Sequence, residues 1–334
     1  MNMKSIVCVE PGRLVLEDRP RPQLPDEDWV RIRVTHVGIC GTDYHIYQGK
    51  HPFLQYPRVM GHEVSGVVIE NAVAAGLEEG TPVIINPYIS CGACHACNIG
   101  KPNCCMSIKV LGVHTDGAFC EEIVLPAGNV SPAIGLSSEA SATVEFLAIG
   151  AHAVRRSQAT SGSRALVIGA GPIGLGAALF ARIAGQSVTL LDTSQERLDM
   201  ARERFGFDDV RRLGGERPVE STSFDTVYDA TGNAASMESA FAYVAHGGAL
   251  VLVGLVKDDL RFSDPEFHKR EMMLIASRNA VKADFEHVAA ALSDGRVSAD
   301  ALITHRTSID RLTDTFPGWA ETRSGLIKAM VSLG

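Results

Sequence analysis

The segment from Arg164 to Asp192 constrains the fold of this 334-residue chain more than any other part. It reads RALVIGAGPIGLGAALFARIAGQSVTLLD, which is an apolar strand, a glycine-rich turn, a helix and a second strand. Strands that alternate with helices in this way predict a parallel sheet covered by helices. Further apolar strands follow in FDTVYDATG, GGALVLVGL and MMLIASRNA. The fold class of this part is therefore predicted to be α/β.

The turn in this segment matches the G-x-G-x-x-G pattern with Gly169, Gly171, Pro172, Ile173 and Gly174. Glycines permit the tight turn and let backbone N–H groups approach a pyrophosphate at the helix N-terminus.

Asp192 ends the next strand, where a carboxylate binds a ribose diol and repels a 2′-phosphate. These features predict a Rossmann domain that binds NAD. Arg197 lies where it could aid a 2′-phosphate, so NADP tolerance stays open. The competing interpretation is an ordinary glycine turn with Asp192 as a helix N-cap.

The first part of the chain has a different texture. β-Branched runs at residues 30–39, 61–70 and 81–89 are bounded by glycine and proline, which is typical of a glycine-rich β-barrel. Residues 139–156 then read as a helix of small and apolar side chains, and residues 326–333 as a last strand.

Four cysteines lie close together in CGACHACNIGKPNCC. Thiols stay reduced in the cytosol, so this cluster favours a metal over disulfides. Gaps of two, two and seven residues fit one tetrahedral zinc in a closed, structural site. The proposed ligands are Cys91, Cys94, Cys97 and Cys105. Cys104 is adjacent to Cys105, and the spacing alone leaves open which of the two binds.

A second, incomplete metal site is predicted from CGTDYH and GHE. A thiolate from Cys40, a nitrogen from His62 and one carboxylate leave a fourth position open, as catalytic zinc requires. Glu63 and Glu145 are both candidates for the third ligand, and the two could alternate.

Three residues beside this site have predicted supporting roles. Asp43 is expected to accept a hydrogen bond from the non-ligating nitrogen of His62. Thr42 offers a hydroxyl between substrate and solvent, and His45 is a candidate to pass the proton onward near neutral pH.

The composition excludes some functions. Hydrophobic residues make up 46% and charged residues 21%, as in a packed globular protein, and the net charge is -8. This charge gives no case for nucleic acid or an anionic membrane surface. No 18-residue apolar run or signal-peptide core occurs, so a cytoplasmic protein is expected.

The motifs CGTDYH, GHEVSG, the cysteine loop, VEFLAIGAHA and GAGPIG follow one another in the order of a known family. In these residues the chain resembles the zinc-dependent medium-chain alcohol dehydrogenases, in the polyol and threonine dehydrogenase branch. PFLQYPRVMGHE, IGKPNCC and SRNA are most similar to the sugar-acid group that includes L-galactonate oxidoreductase and starvation-sensing dehydrogenase-like proteins.

The resemblance implies a GroES-like β-barrel catalytic domain at residues 1–147, with a zinc lobe at about 87–108. A Rossmann domain follows at 148–284, and residues 285–334 return to the catalytic domain. The resemblance also favours Cys105 over Cys104, and two zinc ions per chain with NAD.

The predicted reaction is reversible NAD-linked oxidation of a secondary alcohol of a polyol or sugar acid, with an L-galactonate-like substrate as the favoured example. The alternatives are an NAD(H)-binding sensor that keeps the fold and a threonine or 2,3-diol dehydrogenase. A homodimer or homotetramer is expected, with no nucleic-acid or membrane partner.

Overall fold

The glycine-rich first part of the chain folds into short strands, as its β-branched runs predict. The computed structural model describes residues 2–51 and 54–333. The strands of this part are β1 (Asn2–Glu10), β2 (Arg13–Pro20), β3 (Trp29–Ile39), β4 (Arg58–Val59), β5 (Glu63–Glu70), β6 (Pro82–Ile85), β7 (Tyr88–Ile89), β8 (Lys109–Val110), β9 (Glu122–Pro126) and β10 (Val130–Pro132). Its helices are α1 (Gly41–Tyr47), α2 (His95–Asn98), α3 (Ser138–Ala142) and α4 (Val144–Ser157).

The strand β3 organises the main sheet of this part. It pairs antiparallel with both β5 and β9, and β5 continues through β6 to β10. Val30, Ile32 and Val34 alternate along β3 and are fully buried, as period-two patterning requires. A second sheet has the order β2-β1-β4, and β7 pairs with β8 beside the cysteine loop.

Two predicted elements are divided in the structure. The run at 81–89 forms two strands, β6 and β7, because Pro87 between them has no N–H to donate to a strand partner. The predicted helix at 139–156 is interrupted at Thr143, which is the C-cap of α3. The Thr143 hydroxyl donates a hydrogen bond to the Ala140 carbonyl at 2.7 Å.

The second part of the chain forms a parallel sheet with helices between its strands. The strands are β11 (Arg164–Ile168), β12 (Ser187–Asp192), β13 (Val210–Arg212), β14 (Phe224–Asp229), β15 (Val244–Leu252) and β16 (Met273–Ala276). The helices are α5 (Pro172–Ile183), α6 (Gln195–Phe205), α7 (Ala234–Ala240), α8 (Asp264–Lys269) and α9 (Lys282–Ser293).

The order of this sheet is β13-β12-β11-β14-β15-β16, and every pair is parallel. This is the order of a doubly wound dinucleotide-binding sheet, so the predicted α/β fold with a Rossmann domain is confirmed. The strand β16 ends at Ala276, before the end of the predicted run, and Asn279 farther along the chain has a positive φ of 53°.

The C-terminal residues return to the first sheet. They form α10 (Ala299–Leu302), β17 (Ile303–Ser308), α11 (Leu312–Glu321) and β18 (Lys328–Ser332). β18 pairs antiparallel with β3 and parallel with β17. The chain divides into one compact unit of Met1–Glu145 with Val288–Gly334 and a second of Phe146–His287.

Candidate active site and metal sites

The register of β3 and β5 brings three potential metal ligands together. Cys40 follows β3 and caps the N-terminus of α1, while His62 and Glu63 stand at the start of β5. Gly38 is paired with Glu63 across the two strands. One ligand atom from each of Cys40, His62 and Glu63 lies within 4.8 Å of the other two.

Gly38 makes room for this arrangement. A Cβ atom at this position would overlap the Glu63 carboxylate, so a larger residue would displace Glu63 from the cluster. His62 and Glu63 are buried, and Cys40 is partly buried.

Asp43 holds the two ligand-bearing segments together through their backbones. Its buried carboxylate accepts hydrogen bonds from the backbone N–H of Cys40 at 2.8 Å and of Gly61 at 3.1 Å. The Nδ1 atom of His62 has no hydrogen-bond partner in the described part of the chain, so the predicted bond from His62 to Asp43 is not formed there. The reason is local, since Asp43 occupies the third position of α1 and closes a capping box with Cys40.

Lys328 on β18 forms a buried ion pair with Glu63. Its ammonium donates to Glu63 Oε1 at 2.6 Å and to the Ile39 carbonyl at 3.2 Å. Burial alone would lower the pKa of Lys328, but the neighbouring Glu63 and Cys40 raise it above its usual value. No sequence motif indicated this residue, although a lysine inside the apolar run LIKAMVSL was a usable signal.

Glu145, the other candidate carboxylate, has a different partner. It is buried in the first turn of α4 and accepts a hydrogen bond from the Tyr88 hydroxyl on β7. Burial raises the pKa of Glu145 and the Glu63 carboxylate adds to the effect, whereas His62 and Tyr88 oppose it. Glu145 does not belong to the cluster of three ligand atoms found among the described residues. The sequence did not point to Tyr88.

The donor atoms of the cluster fit a zinc ion. Glu63 Oε2 is buried and has no hydrogen-bond partner among residues 2–51 and 54–333. Buried polar atoms without partners are costly, and a bound cation would satisfy them. A thiol, an imidazole and a carboxylate form a three-ligand set that leaves one position open.

Thr42 and His45 both lie on α1. The Thr42 hydroxyl is 3.9 Å from Cys40 Sγ, and His45 is exposed to solvent. One helix therefore carries both predicted members of the proton path, one at the cluster and one at the surface.

The four cysteines of the loop between β7 and β8 converge. The Sγ atoms of Cys91, Cys94, Cys97 and Cys105 lie within 4.8 Å of one another, and Cys104 is exposed outside the group. Backbone N–H groups of Met106 and Cys97 lower the pKa of Cys94 to about 6. A thiol that ionises readily among three others is suited to zinc.

The glycine turn of the second unit has the shape that the sequence predicts. Gly169 has a φ of 97°, and a Cβ at Gly174 would overlap the Gly169 carbonyl. Gly171 caps α5, Pro172 and Ile173 begin it, and a Cβ at Gly171 would meet only open space. The helix N-terminus is therefore accessible to a pyrophosphate.

Asp192 at the end of β12 is tied to this turn. Its carboxylate accepts hydrogen bonds from the backbone N–H of Ala170 at 2.6 Å and of Ser194 at 2.8 Å. Arg197 on α6 lies 3.8 Å from the same carboxylate. The glycine turn and Asp192 are therefore adjacent at the same edge of the sheet.

Comparisons with known proteins agree with the fold. Residues 26–135 match the alcohol dehydrogenase GroES-like domain, and residues 172–294 match the zinc-binding dehydrogenase domain. L-galactonate-5-dehydrogenase of Escherichia coli K12 is 40% identical, and the match covers 99% of both chains. Sorbitol dehydrogenase of Halalkalibacterium halodurans is 30% identical over 92% of this chain and 93% of its own.

A solved structure is similar across the whole chain. The alcohol dehydrogenase rspB from E. coli CFT073, in complex with NADH, has a TM-score of 0.90 at 30% identity and covers 99% of both chains. A parallel dinucleotide-binding sheet with a thiolate, imidazole and carboxylate cluster defines a metal-dependent dehydrogenase. The chain belongs to the zinc-dependent alcohol dehydrogenase family.

Membership of this family confirms the predicted oxidoreductase class and the predicted cofactors, zinc and NAD. The helices of residues 2–51 and 54–333 do not reach the length and apolarity that crossing a membrane demands.

Proposed function

We propose that this protein catalyses the reversible NAD-linked oxidation of a secondary alcohol of a polyol or sugar acid to the ketone. The observation that carries the proposal is the cluster of Cys40, His62 and Glu63, in which the buried Glu63 Oε2 has no hydrogen-bond partner in the described part of the chain. The 40% identity to L-galactonate-5-dehydrogenase across 99% of both chains supports an L-galactonate-like substrate.

In this proposal Cys40, His62 and Glu63 hold the catalytic zinc, and Glu145 stands beside them as the alternative carboxylate. The zinc supplies a Lewis acid that lowers the pKa of the substrate hydroxyl. Asp43 fixes the distance between the segments that bear Cys40 and His62. The hydroxyl proton would leave through Thr42, whose hydroxyl gives up its own proton as it accepts one, and the cofactor ribose to His45, which would release it to solvent.

The second unit binds the cofactor. Gly169, Gly171, Pro172, Ile173 and Gly174 form the pyrophosphate turn, while Asp192 receives the ribose hydroxyls and Arg197 lies beside it. Bound by these residues, NAD would supply the acceptor for the hydride of the carbinol carbon, so that the substrate would lose one hydride and one proton. In this proposal each predicted domain has one role: residues 1–147 and 285–334 carry catalysis, and residues 148–284 bind NAD.

The four-cysteine loop holds the second zinc in this proposal. Its four thiol groups close the coordination sphere, so this ion braces the loop and takes no part in hydride transfer.

A homodimer or homotetramer is proposed through the edge of the parallel sheet. β16 is an end strand of that sheet, and the side chains of Met273 and Leu274 on it are 50% and 42% exposed. An exposed apolar edge strand favours pairing with another copy of the chain. The reduced cysteines fit a cytoplasmic location.

The proposal is tested by NADH absorbance with a panel of aldonates, polyols, threonine and 2,3-diols. We expect turnover with at least one sugar acid or polyol, and its loss in Cys40→Ala. Cys104→Ala is the matched control, because this exposed cysteine lies outside both metal clusters. Turnover by Cys40→Ala equal to that of the wild type would refute the proposed site, and NAD binding without any turnover would favour the sensor alternative.

A further inference from the structure

The first unit buries two carboxylates that could compete for one metal ion. Glu63 is fully buried and Glu145 is 4% exposed. The Glu63 carboxylate raises the pKa of Glu145, which places the two side chains in one electrostatic environment. An open zinc site uses three protein ligands, so a fourth protein ligand would occupy the position that the substrate needs.

The two carboxylates are held by partners of different chemistry. Lys328 engages Glu63 through Oε1 and leaves Oε2 buried without a hydrogen-bond partner in the described part of the chain. Tyr88 engages Glu145 through a neutral phenol hydroxyl. Glu63 contributes an oxygen to the cluster of potential ligand atoms found among the described residues, whereas Glu145, which Tyr88 holds through one oxygen, does not.

The position of Tyr88 is itself fixed by neighbouring asparagines. Its backbone N–H donates to Asn86 Oδ1 at 3.0 Å, and its carbonyl accepts from Asn129 Nδ2 at 3.1 Å. Tyr88 also lies on β7, which pairs with β8 and leads directly into Cys91. The phenol therefore reaches Glu145 from the base of the four-cysteine loop.

We infer that Tyr88 is a positioning residue that holds Glu145 away from the catalytic metal and so keeps the ligand set at Cys40, His62 and Glu63. The inference rests on the zinc site of the proposed function. A hydrogen bond from a neutral donor to a carboxylate favours the bonded conformation by roughly tenfold or more. Removing the Tyr88 hydroxyl should therefore raise the population of Glu145 conformations that can reach the metal by about the same factor.

The test uses Co²⁺ in place of zinc, because its visible spectrum reports coordination number and geometry directly. The spectrum of the catalytic site is obtained by subtracting that of Cys40→Ala, which loads only the four-cysteine loop. We expect Tyr88→Phe to change the d–d bands of the catalytic site, because the released Glu145 carboxylate would take the open position in place of a solvent oxygen. Tyr88→Phe combined with Glu145→Gln should restore the wild-type spectrum.

A catalytic-site spectrum of Tyr88→Phe that matches the wild type would overturn the inference. Glu145→Gln alone provides a second test that does not require Tyr88→Phe to fold. We expect it to leave the wild-type spectrum unchanged, and a changed spectrum would mean that Glu145 already binds the metal. If the wild type and Cys40→Ala each bind one cobalt with identical spectra, the proposed zinc site itself fails, and the inference fails with it.

Discussion

Lys328 and Glu63 form an ion pair at 2.6 Å in which the two side chains are 2% and 0% exposed. The lysine comes from the last strand of the chain and the glutamate from β5, 265 residues earlier. Both strands pair with β3, so the ion pair spans the strand that leads to Cys40. It couples the C-terminal segment to the residues that gather around the proposed catalytic metal.

Replacing Lys328 by methionine should destabilise the metal-free protein by about 3 kcal/mol, because it leaves the Glu63 carboxylate buried without its cation. Urea unfolding at neutral pH in the presence of a chelator measures this change. Lys4→Met is the matched control, since Lys4 pairs with Asp310 at 2.8 Å with side chains 47% and 59% exposed. An exposed pair is screened by solvent, so Lys4→Met should change the free energy of unfolding far less. Equal losses in the two variants would contradict the proposed role of burial.

Lys328 also shows where prediction from the sequence stops. Cys40, His62 and Glu63 could be predicted because short motifs place them next to a strand and a turn. Lys328 joins them only through the pairing of β18 with β3, which no local pattern encodes. Tyr88 was missed for the same reason, since its partner Glu145 is 57 residues away in the sequence.

The predicted hydrogen bond from His62 to Asp43 is absent for a different reason. The sequence correctly placed Asp43 beside the ligands, but its hydrogen-bonding atoms had two possible sets of partners. In the structure, the Asp43 carboxylate accepts hydrogen bonds from the backbone N–H groups of Cys40 and Gly61. This choice of partners depends on the backbone geometry of those two residues. The parallel sheet was easier to predict, because strands such as β11 and β12 are apolar runs bounded by turns. The short strand β13, with the sequence VRR, has no such pattern and was not predicted.

Replacing Cys94 by serine should remove one zinc per chain and lower the melting temperature by roughly 5 °C or more. The Cys94 Sγ lies 3.6 Å from Cys97 Sγ and 3.9 Å from Cys105 Sγ, so its loss opens the four-thiol site. Metal analysis and thermal unfolding measure the two effects. Cys104→Ser is the control and should retain both the zinc and the melting temperature, because Cys104 is exposed outside the cluster. A full zinc content in Cys94→Ser would contradict the assignment.

Asp284 should make the second unit sensitive to acid. Its carboxylate lies 2.7 Å from both His152 Nδ1 and Arg155 Nε, and although burial opposes the charge, these partners lower its pKa to about 2. Because the folded-state pKa lies below the ordinary value of 3.8, the stabilisation is present above about pH 4 and is lost as the pH falls toward 2.

The matching variant is Asp284→Asn, whose free energy of unfolding should be lower by about 2 kcal/mol at pH 6. Since zinc also dissociates in acid, the quantity to measure is the difference in urea-unfolding free energy between the two chelated proteins at pH 6, 4 and 3. We expect this difference to shrink below pH 4. A difference independent of pH would show that the carboxylate charge is not the cause. Asp294→Asn serves as the exposed control.

Asp192→Ala should weaken NAD binding by roughly 10- to 100-fold, the effect of losing hydrogen bonds to a charged group. Asp192 also accepts a hydrogen bond from Ala170 in the glycine turn, so the variant loosens that turn as well. The two effects are separated by measuring NADP in parallel. A looser turn weakens the binding of both cofactors equally, whereas loss of the carboxylate that repels a 2′-phosphate lowers the preference for NAD over NADP.

Asp225→Ala is the matched control. This exposed aspartate accepts a hydrogen bond from the backbone N–H of Arg164, the first residue of β11, whereas the glycine turn follows the last residue of that strand. A preserved NAD-to-NADP affinity ratio in Asp192→Ala would show that this aspartate supports the turn without selecting the cofactor.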